Sequence, residues 1–197
     1  MALDLFLCRH GETEWTLSGQ HTSFSDISLT ERGKKQIALL APALHKITWN
    51  LILSSPSRRA VESCLIAGLA PTLEPLAVEW NYGKYEGLTH VQIEAQNPNW
   101  NLFRDGAPGG ESVQQVGQRA DDLLKMIMQI NGSVLLFSHG HFLRVLVSRW
   151  LELQAGDARL FTLSVASISH LGFERKQKVI RFWNNTCHLS ADLSGGL

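Results

Sequence analysis

Two histidines stand where short apolar runs break into glycine. Leu5-Phe6-Leu7-Cys8 runs into Arg9-His10-Gly11-Glu12-Thr13, and Val134-Leu135-Leu136-Phe137 runs into Ser138-His139-Gly140-His141. An apolar run stopped by Gly reads as a buried strand ending at a sheet edge. In open α/β sheets, ligands bind beyond the carboxyl ends of such strands. Two histidines so placed would face one crevice, and the first has an arginine beside it. An imidazole can attack phosphorus, and a guanidinium matches phosphate oxygens in charge and geometry. The combination points to chemistry on a phosphoryl group. Gly11 lets the backbone turn sharply and approach a ligand closely.

Two further segments carry compatible groups. In Ser54-Ser55-Pro56-Ser57-Arg58-Arg59 a strand runs into small hydroxyl residues and a proline-initiated helix, whose free N–H groups and dipole suit an anion. Of its arginines, Arg58 is assigned to the pocket and Arg59 to the surface. Glu79-Trp80-Asn81-Tyr82-Gly83-Lys84-Tyr85-Glu86-Gly87 sets two carboxylates among aromatics and glycines. A carboxyl partly desolvated there has its pKa raised toward general-acid duty, and spacing leaves open whether that is Glu79 or Glu86. Free N–H groups after Gly140 favour an anion at a second helix start, with His139 pointing at it. His139 and His141 are spaced for a metal, yet no HExxH or Cys/His cluster completes a ligand set. No metal and no cofactor are assigned, since arginines and helix N-termini can carry the developing charge. Walker A, GxSxG and Cys-x5-Arg patterns are absent from the sequence.

The elements that must position these groups alternate as in an α/β layer fold. A first strand spans 3–8, followed by a loop over 11–29 rich in Ser, Thr and Gly and long enough to carry function. Thr30 caps a helix with Ile37, Leu40, Ala41 and Leu44 on one face. Leu51-Ile52-Leu53-Ser54 is a strand, with a helix after Pro56. The strongest helix follows Gly109-Gly110 and buries Val113, Val116, Ala120, Leu123, Leu124 and Ile127. A strand over 134–137 precedes a helix that starts near His141 and buries Phe142, Val145, Leu146 and Trp150. A hairpin pairs 167–173 with 179–183. The expectation is one domain: a three-layer α/β/α sandwich with a mostly parallel central sheet and helices on both faces. Residues 80–110 are expected to form a small cap over the site, and 190–197 a flexible tail.

Composition narrows the partners. Among 197 residues Lys plus Arg and Asp plus Glu are equal at 18 each, so no global field draws the chain to nucleic acid or anionic lipid. Three cysteines without a CxxC pair read as reduced thiols. The opening segment is too short and too polar for a signal peptide, and no stretch approaches the ~20 apolar residues of a membrane span. The expected setting is cytoplasmic and the expected partner a small phosphorylated metabolite, with neither nucleic acid nor membrane. The chain is expected as a monomer or homodimer, the hairpin offering a sheet edge for pairing.

In order and spacing these segments resemble the histidine phosphatase superfamily, whose type members are phosphoglycerate mutase-like proteins. Arg9-His10-Gly11-Glu12-Thr13 resembles its defining motif and Ser54-Ser55-Pro56-Ser57-Arg58-Arg59-Ala60 its second. The segment from Glu79 to Gly87 resembles its acid loop, Gly109-Gly110-Glu111-Ser112 the next helix start, and Ser138-His139-Gly140 the second histidine. The resemblance implies that His10 becomes phosphorylated and that Arg9, Arg58 and His139 bind the phosphoryl oxygens. It makes Glu79 the group that protonates the leaving alkoxide and then accepts a proton from water, with Glu86 as loop structure and Cys8 buried and inert. Thr16, Gln20, His21, Thr22 and Gly140 are implied on the phosphate or substrate side.

Cofactor-dependent mutases usually carry Asn where this chain has Thr16, and their longer insertion before the Gly-Glu-Ser helix is missing. A mutase needs a closing lid that excludes water, so a shorter cap favours hydrolysis. With Gly19-Gln20-His21-Thr22, the acid loop looks most like the acid-phosphatase and sedoheptulose-bisphosphatase-like branch. The implied activity is a metal-independent phosphomonoesterase acting on small metabolites such as sugar phosphates. The alternatives are a cofactor-dependent phosphoglycerate mutase, a non-catalytic phospho-ligand binding module and a metal-dependent hydrolase.

Overall fold

A computed structural model describes residues 3–189, so the tail expected at 190–197 lies outside the described residues. Thirteen helices and strands follow one another as β1 (Asp4–Arg9), α1 (Glu14–Ser18), α2 (Glu31–Leu44), β2 (Leu51–Ser54), α3 (Arg58–Ile66), β3 (Thr72–Leu73), α4 (His90–Gln96), α5 (Leu102–Asp105), α6 (Val113–Ile127), β4 (Ser133–Ser138), α7 (Gly140–Trp150), β5 (Ile168–Glu174) and β6 (Gln177–Asn185). They build a six-stranded sheet in the order β3-β2-β4-β1-β5-β6. The first four strands in that order run parallel, β5 runs antiparallel to β1, and β6 pairs antiparallel with β5. The mostly parallel α/β architecture is as expected.

Both faces of the sheet are covered, which is why its central strands read as unbroken apolar runs. Successive side chains still point to opposite faces. Leu5, Leu7, Val134 and Leu136 pack in one core cluster with the apolar stripes of α6 and α7. Phe6, Cys8, Leu135 and Phe137 join Ile37, Leu40 and Cys64 of α2 and α3 in the other. The three layers follow from that division. Thr30 caps α2 by accepting the Gly33 N–H, and Ser112 caps α6 in a reciprocal box with Gln115.

Register fixes where the histidines emerge. Leu7 pairs with Leu136 and Arg9 with Ser138, so β1 and β4 end side by side. The His10 N–H then continues the ladder onto the Ser138 carbonyl at 3.0 Å.

Some local expectations shift. Helix α3 begins at Arg58 with Ser57 as its N-cap, leaving Pro56 outside the helix. The edge strand β3 is two residues long and carried no periodic signal. The hairpin closes through Arg175 and Lys176, with Arg175 in the left-handed region at φ 57°. Within 88–110, Ile93, Trp100, Leu102 and Phe103 are buried in the core shared with α6 and α7. Among the described residues no helix is long and apolar enough to cross a membrane.

Candidate active site

The loop after β1 must pass very close to α2. A Cβ on Gly11 would lie 2.6 Å from the Gly33 carbonyl oxygen, and one on Gly33 would lie 2.2 Å from the Glu12 carbonyl oxygen. Only two glycines allow that approach. Glu12 locks it, accepting from Thr30 Oγ1 and Arg32 Nη1, both at 2.8 Å. Gly140 plays a comparable part across the site, since a Cβ there would stand 3.1 Å from the Arg9 guanidinium carbon.

The rings of His10 and His139 lie 5.2 Å apart, centroid to centroid. His10 Nδ1–H donates to its neighbour, the Gly11 carbonyl, at 2.7 Å. That bond fixes the tautomer and leaves Nε2 with a free lone pair. Burial, and then the positive charges of Arg59 and Arg9, hold the His10 pKa well below the usual imidazole range, so the ring is neutral. His139 Nε2 pairs with Ser55 Oγ at 2.8 Å. Its pKa is likewise held low by burial first and Arg59 second.

Arg59, and not Arg58, is the arginine facing these rings. It is 1% exposed, and its terminal nitrogens donate to the carbonyls of Thr22, Ser23 and Ser25. Arg58 is solvent-facing: its side chain pairs with Glu62 at 2.8 Å and its N–H donates to Asp26 at 3.1 Å. The expectation for Arg58 is therefore corrected. With Pro56 outside the helix, Arg58 opens α3 on its solvent side, and the next residue turns inward. Arg9, half-buried at the cavity, donates through Nη1 to the Leu163 carbonyl.

The expectation of free helix N-termini is also corrected. The first-turn N–H groups of α7 are already taken by an internal carboxylate: Glu79 accepts from His141 N at 3.1 Å and Phe142 N at 2.8 Å, and from Trp80 N at 2.8 Å. Asp26 stands at the start of α3 in the same way. Glu79 is 7% exposed and lines the cavity beside His10. The Glu79 main chain is steadied by Arg119, which also forms a bidentate pair with Glu111.

Glu86 is turned away from the cavity. It accepts from Ser23 N, Ser23 Oγ and Ser25 N. This is the loop-structure role expected of it.

The cavity is about 190 Å³, the size of a small metabolite's polar head, and its lining includes Arg9, His10, Thr16, Gln20, His21, Thr22, Glu79 and Gly140. Several of these residues present little spare hydrogen-bonding capacity. Thr16 Oγ1 is engaged with both the N–H and the carbonyl of Thr13 in the cap of α1. The Gln20 side chain bridges Ser18 and the Gly87 carbonyl, and Thr22 Oγ1 donates to the Gln20 carbonyl. Tyr82, His141, Trp15, Leu163 and Arg144 complete the walls. Tyr82 Oη and His141 Nδ1 share a hydrogen bond at 2.5 Å, and burial pushes the phenol pKa well up and the imidazole pKa well down.

Arg144, absent from the sequence-level candidates, lies one helical turn beyond Gly140. That spacing, on a helix starting at the site, was the available signal. Arg59 was weighed and set aside; its i+4 neighbour Ser63 is buried, whereas Arg58 has Glu62 at i+4.

Buried nitrogens of this cluster lack partners. Arg9 Nε, Arg59 Nε and His139 Nδ1 are inaccessible and make no hydrogen bond within the described residues. Unsatisfied buried polar atoms are rare in native structures and cluster where strain or catalysis needs them. Among the described residues no group of three or more His, Cys, Asp or Glu could hold a metal ion.

An α/β sandwich with two strand-end histidines, two arginines beside them and a neighbouring carboxylate defines a phosphoryl-transfer site. The chain belongs to the histidine phosphatase superfamily, branch 1, which it matches over residues 5–186. It is 37% identical to an acid phosphatase of Mycobacterium tuberculosis over 189 residues, 93% of each chain. It is 30% identical to the sedoheptulose 1,7-bisphosphatase of Saccharomyces cerevisiae over 183 residues, 75% of this chain and 67% of the other. A probable phosphoglycerate mutase of Escherichia fergusonii is 32% identical, over 92% of this chain and 90% of its own. A solved Mycobacterium tuberculosis structure, of open reading frame Rv3214, superposes with a TM-score of 0.88 at 36% identity, covering 92% and 96% of the two chains.

Proposed function

We propose that this chain hydrolyses phosphomonoesters of small metabolites through a phosphohistidine on His10, without a metal. The observation that carries this reading is a bare, neutral His10 Nε2 in a cavity that Arg9 and Glu79 also line, with the charge of Arg59 bearing on the same ring. The His10 Nε2 lone pair forms the P–N bond while the ester P–O bond breaks, and the Glu79 carboxyl gives its proton to the departing alkoxide. A water molecule then loses a proton to the Glu79 carboxylate as its oxygen attacks phosphorus. The P–N bond breaks, returning His10 and releasing phosphate. Arg9, Arg59 and His139 hold the equatorial oxygens, where developing charge is stabilised most effectively in a dry site.

The test is phosphate release from sugar phosphates, sugar bisphosphates, 3-phosphoglycerate and an aryl phosphate, with His10→Ala as the blank. The expected result is release that depends on His10, with acid-labile, alkali-stable phosphate bound to the wild-type protein during turnover. Isomerisation of 3-phosphoglycerate after priming with its bisphosphate, without phosphate release, would replace hydrolysis by mutase chemistry. Activity surviving in His10→Ala would remove the proposed nucleophile.

A further inference from the structure

Arg9 and His10 lean on the segment between α7 and β5. The Arg9 N–H donates to the Ser167 carbonyl at 3.1 Å, and the His10 carbonyl accepts the Ala166 N–H at 3.0 Å. Among the described residues the Arg9 side chain donates to this segment alone, at the Leu163 carbonyl. Ala166 is wholly buried and sits at φ 52°, in the left-handed region that a residue with a Cβ rarely adopts. Strained backbone persists where its surroundings over-determine it, and it gathers at working sites.

The end of β6 supplies what holds the segment. From Ile168 to His170 β5 advances two residues while β6 covers three, from Asn185 to Phe182, so β6 bulges there. Bulges of this kind re-aim side chains beside active sites. Asn184 lies in the bulge at φ 54°, a conformation that Asn tolerates. Its Oδ1 accepts the Ser164 N–H at 2.7 Å, and its Nδ2 donates to Ser164 Oγ at 3.3 Å. Beside it, Trp183 Nε1 donates to the Thr162 carbonyl at 2.7 Å.

The Leu163 carbonyl and the Ser164 N–H belong to one planar peptide group, so a partner that fixes one also directs the other. Asn184 grips the N–H side, and Arg9 donates to the oxygen side. We infer that Asn184 is a positioning residue, aiming the Arg9 guanidinium at the transferring phosphoryl group through the Leu163–Ser164 peptide. The assignment deepens the phosphatase reading and rests on it for the phosphoryl group. A carbonyl dipole turns the guanidinium without neutralising it, which a carboxylate in that place would do.

The test is Asn184→Gly, which suits a positive φ and removes both side-chain bonds. Asn184→Asp, which keeps an acceptor for the Ser164 N–H, stands beside it. Orthovanadate, titrated calorimetrically, counts competent sites, and turnover of an aryl phosphate is expressed per site. Asn184→Gly is expected to lower kcat per site by about 10-fold with KM within about twofold, as when a donor to developing charge loses its aim. Asn184→Asp should recover part of that loss. A merely structural role would reduce the number of sites and leave kcat at each one unchanged, and that result would overturn the assignment. If Asn184→Gly does not fold, Trp183→Phe removes another tie to the segment and keeps the ring that packs on Phe161. It should lower kcat per site by about threefold, the net worth of one hydrogen bond, and an unchanged value would overturn the assignment.

Orthovanadate affinity reads the aim of Arg9 without turnover. A wild type that releases no phosphate, yet binds orthovanadate about 10-fold more tightly than Asn184→Gly does, would keep the positioning role and discard the hydrolase. Turnover by the wild type, with kcat per site and orthovanadate affinity both unchanged in Asn184→Gly, would discard the positioning role alone.

Discussion

Arg59 and Glu86 grip the same short loop from opposite sides of its peptide groups. Arg59 donates to the carbonyls of Thr22, Ser23 and Ser25, while Glu86 accepts the N–H groups of Ser23 and Ser25. The loop is therefore an insulated bridge between a cation and a carboxylate that never meet. A direct ion pair would have neutralised Arg59, whereas partial charges on carbonyls orient it and leave its full charge for a ligand.

The two adjacent arginines separate experimentally. Arg59→Met should lower kcat/KM by about 10²- to 10³-fold, as expected when a preorganised donor to developing charge is removed. Arg58→Ala, on the solvent side of α3, should stay within about twofold of wild type. Steady-state kinetics on one substrate settles the assignment, and the reverse ranking would return Arg58 to the site.

Glu79 has two duties, capping α7 and moving a proton, and Glu79→Gln keeps the shape of the first while ending the second. Alkyl phosphates, whose leaving group needs a proton, should slow by about 10²- to 10⁴-fold. Aryl phosphates should slow far less. Brønsted plots over a leaving-group series make the comparison, and equal losses on both classes would remove the acid role.

Burial is the main cause holding His10, His139 and His141 well below the ordinary imidazole value of 6.5. Below that value the unfolded chain takes up protons on these rings while the fold still excludes them. Stability should therefore fall with falling pH by about 1.4 kcal/mol per unit for each ring, starting near pH 6.5 and ending at the depressed folded value. Denaturant titrations at pH 7.5, 6.5 and 5.5 measure the decline, and His141→Gln should reduce its steepness by about one ring's share. The same shift keeps His10 neutral, and hence nucleophilic, well into the acid range.

Chelation gives a further test. Among the described residues no group of three or more His, Cys, Asp or Glu could hold a metal ion. Turnover should persist undiminished after exhaustive dialysis against a chelator. Loss of activity restored by one divalent ion would require a metal step.

The strands and their order around the site were legible because buried parallel strands are apolar runs and their ends are marked by Gly11 and Gly140. The apolar stripe of α6 was equally plain. What failed was rotational phase. Reading Pro56 as a first-turn residue advanced α3 and aimed Arg58 inward, although the Arg58–Glu62 spacing was that of an exposed ion pair. The helix N-termini were read as open because sequence cannot show that Glu79, some sixty residues upstream, folds onto the start of α7. Arg144 was passed over for a related reason: only its spacing from Gly140 pointed to it, and its setting depends on Phe103 and Ala158, which are distant in sequence.

The side-by-side seating of β1 and β4 also governs when the molecule becomes competent. The strand that leads into His10 is synthesised before its parallel neighbour, the stretch just before His139. Until that late segment is made, the earliest strand has no partner on that side and the nucleophile no setting. Such long-range pairing belongs to slow folding topologies, and it makes sheet closure and the appearance of turnover a single event. A nascent or prematurely terminated chain is thus silent by construction, and enzymatic recovery during refolding is a direct clock for closure of the sheet.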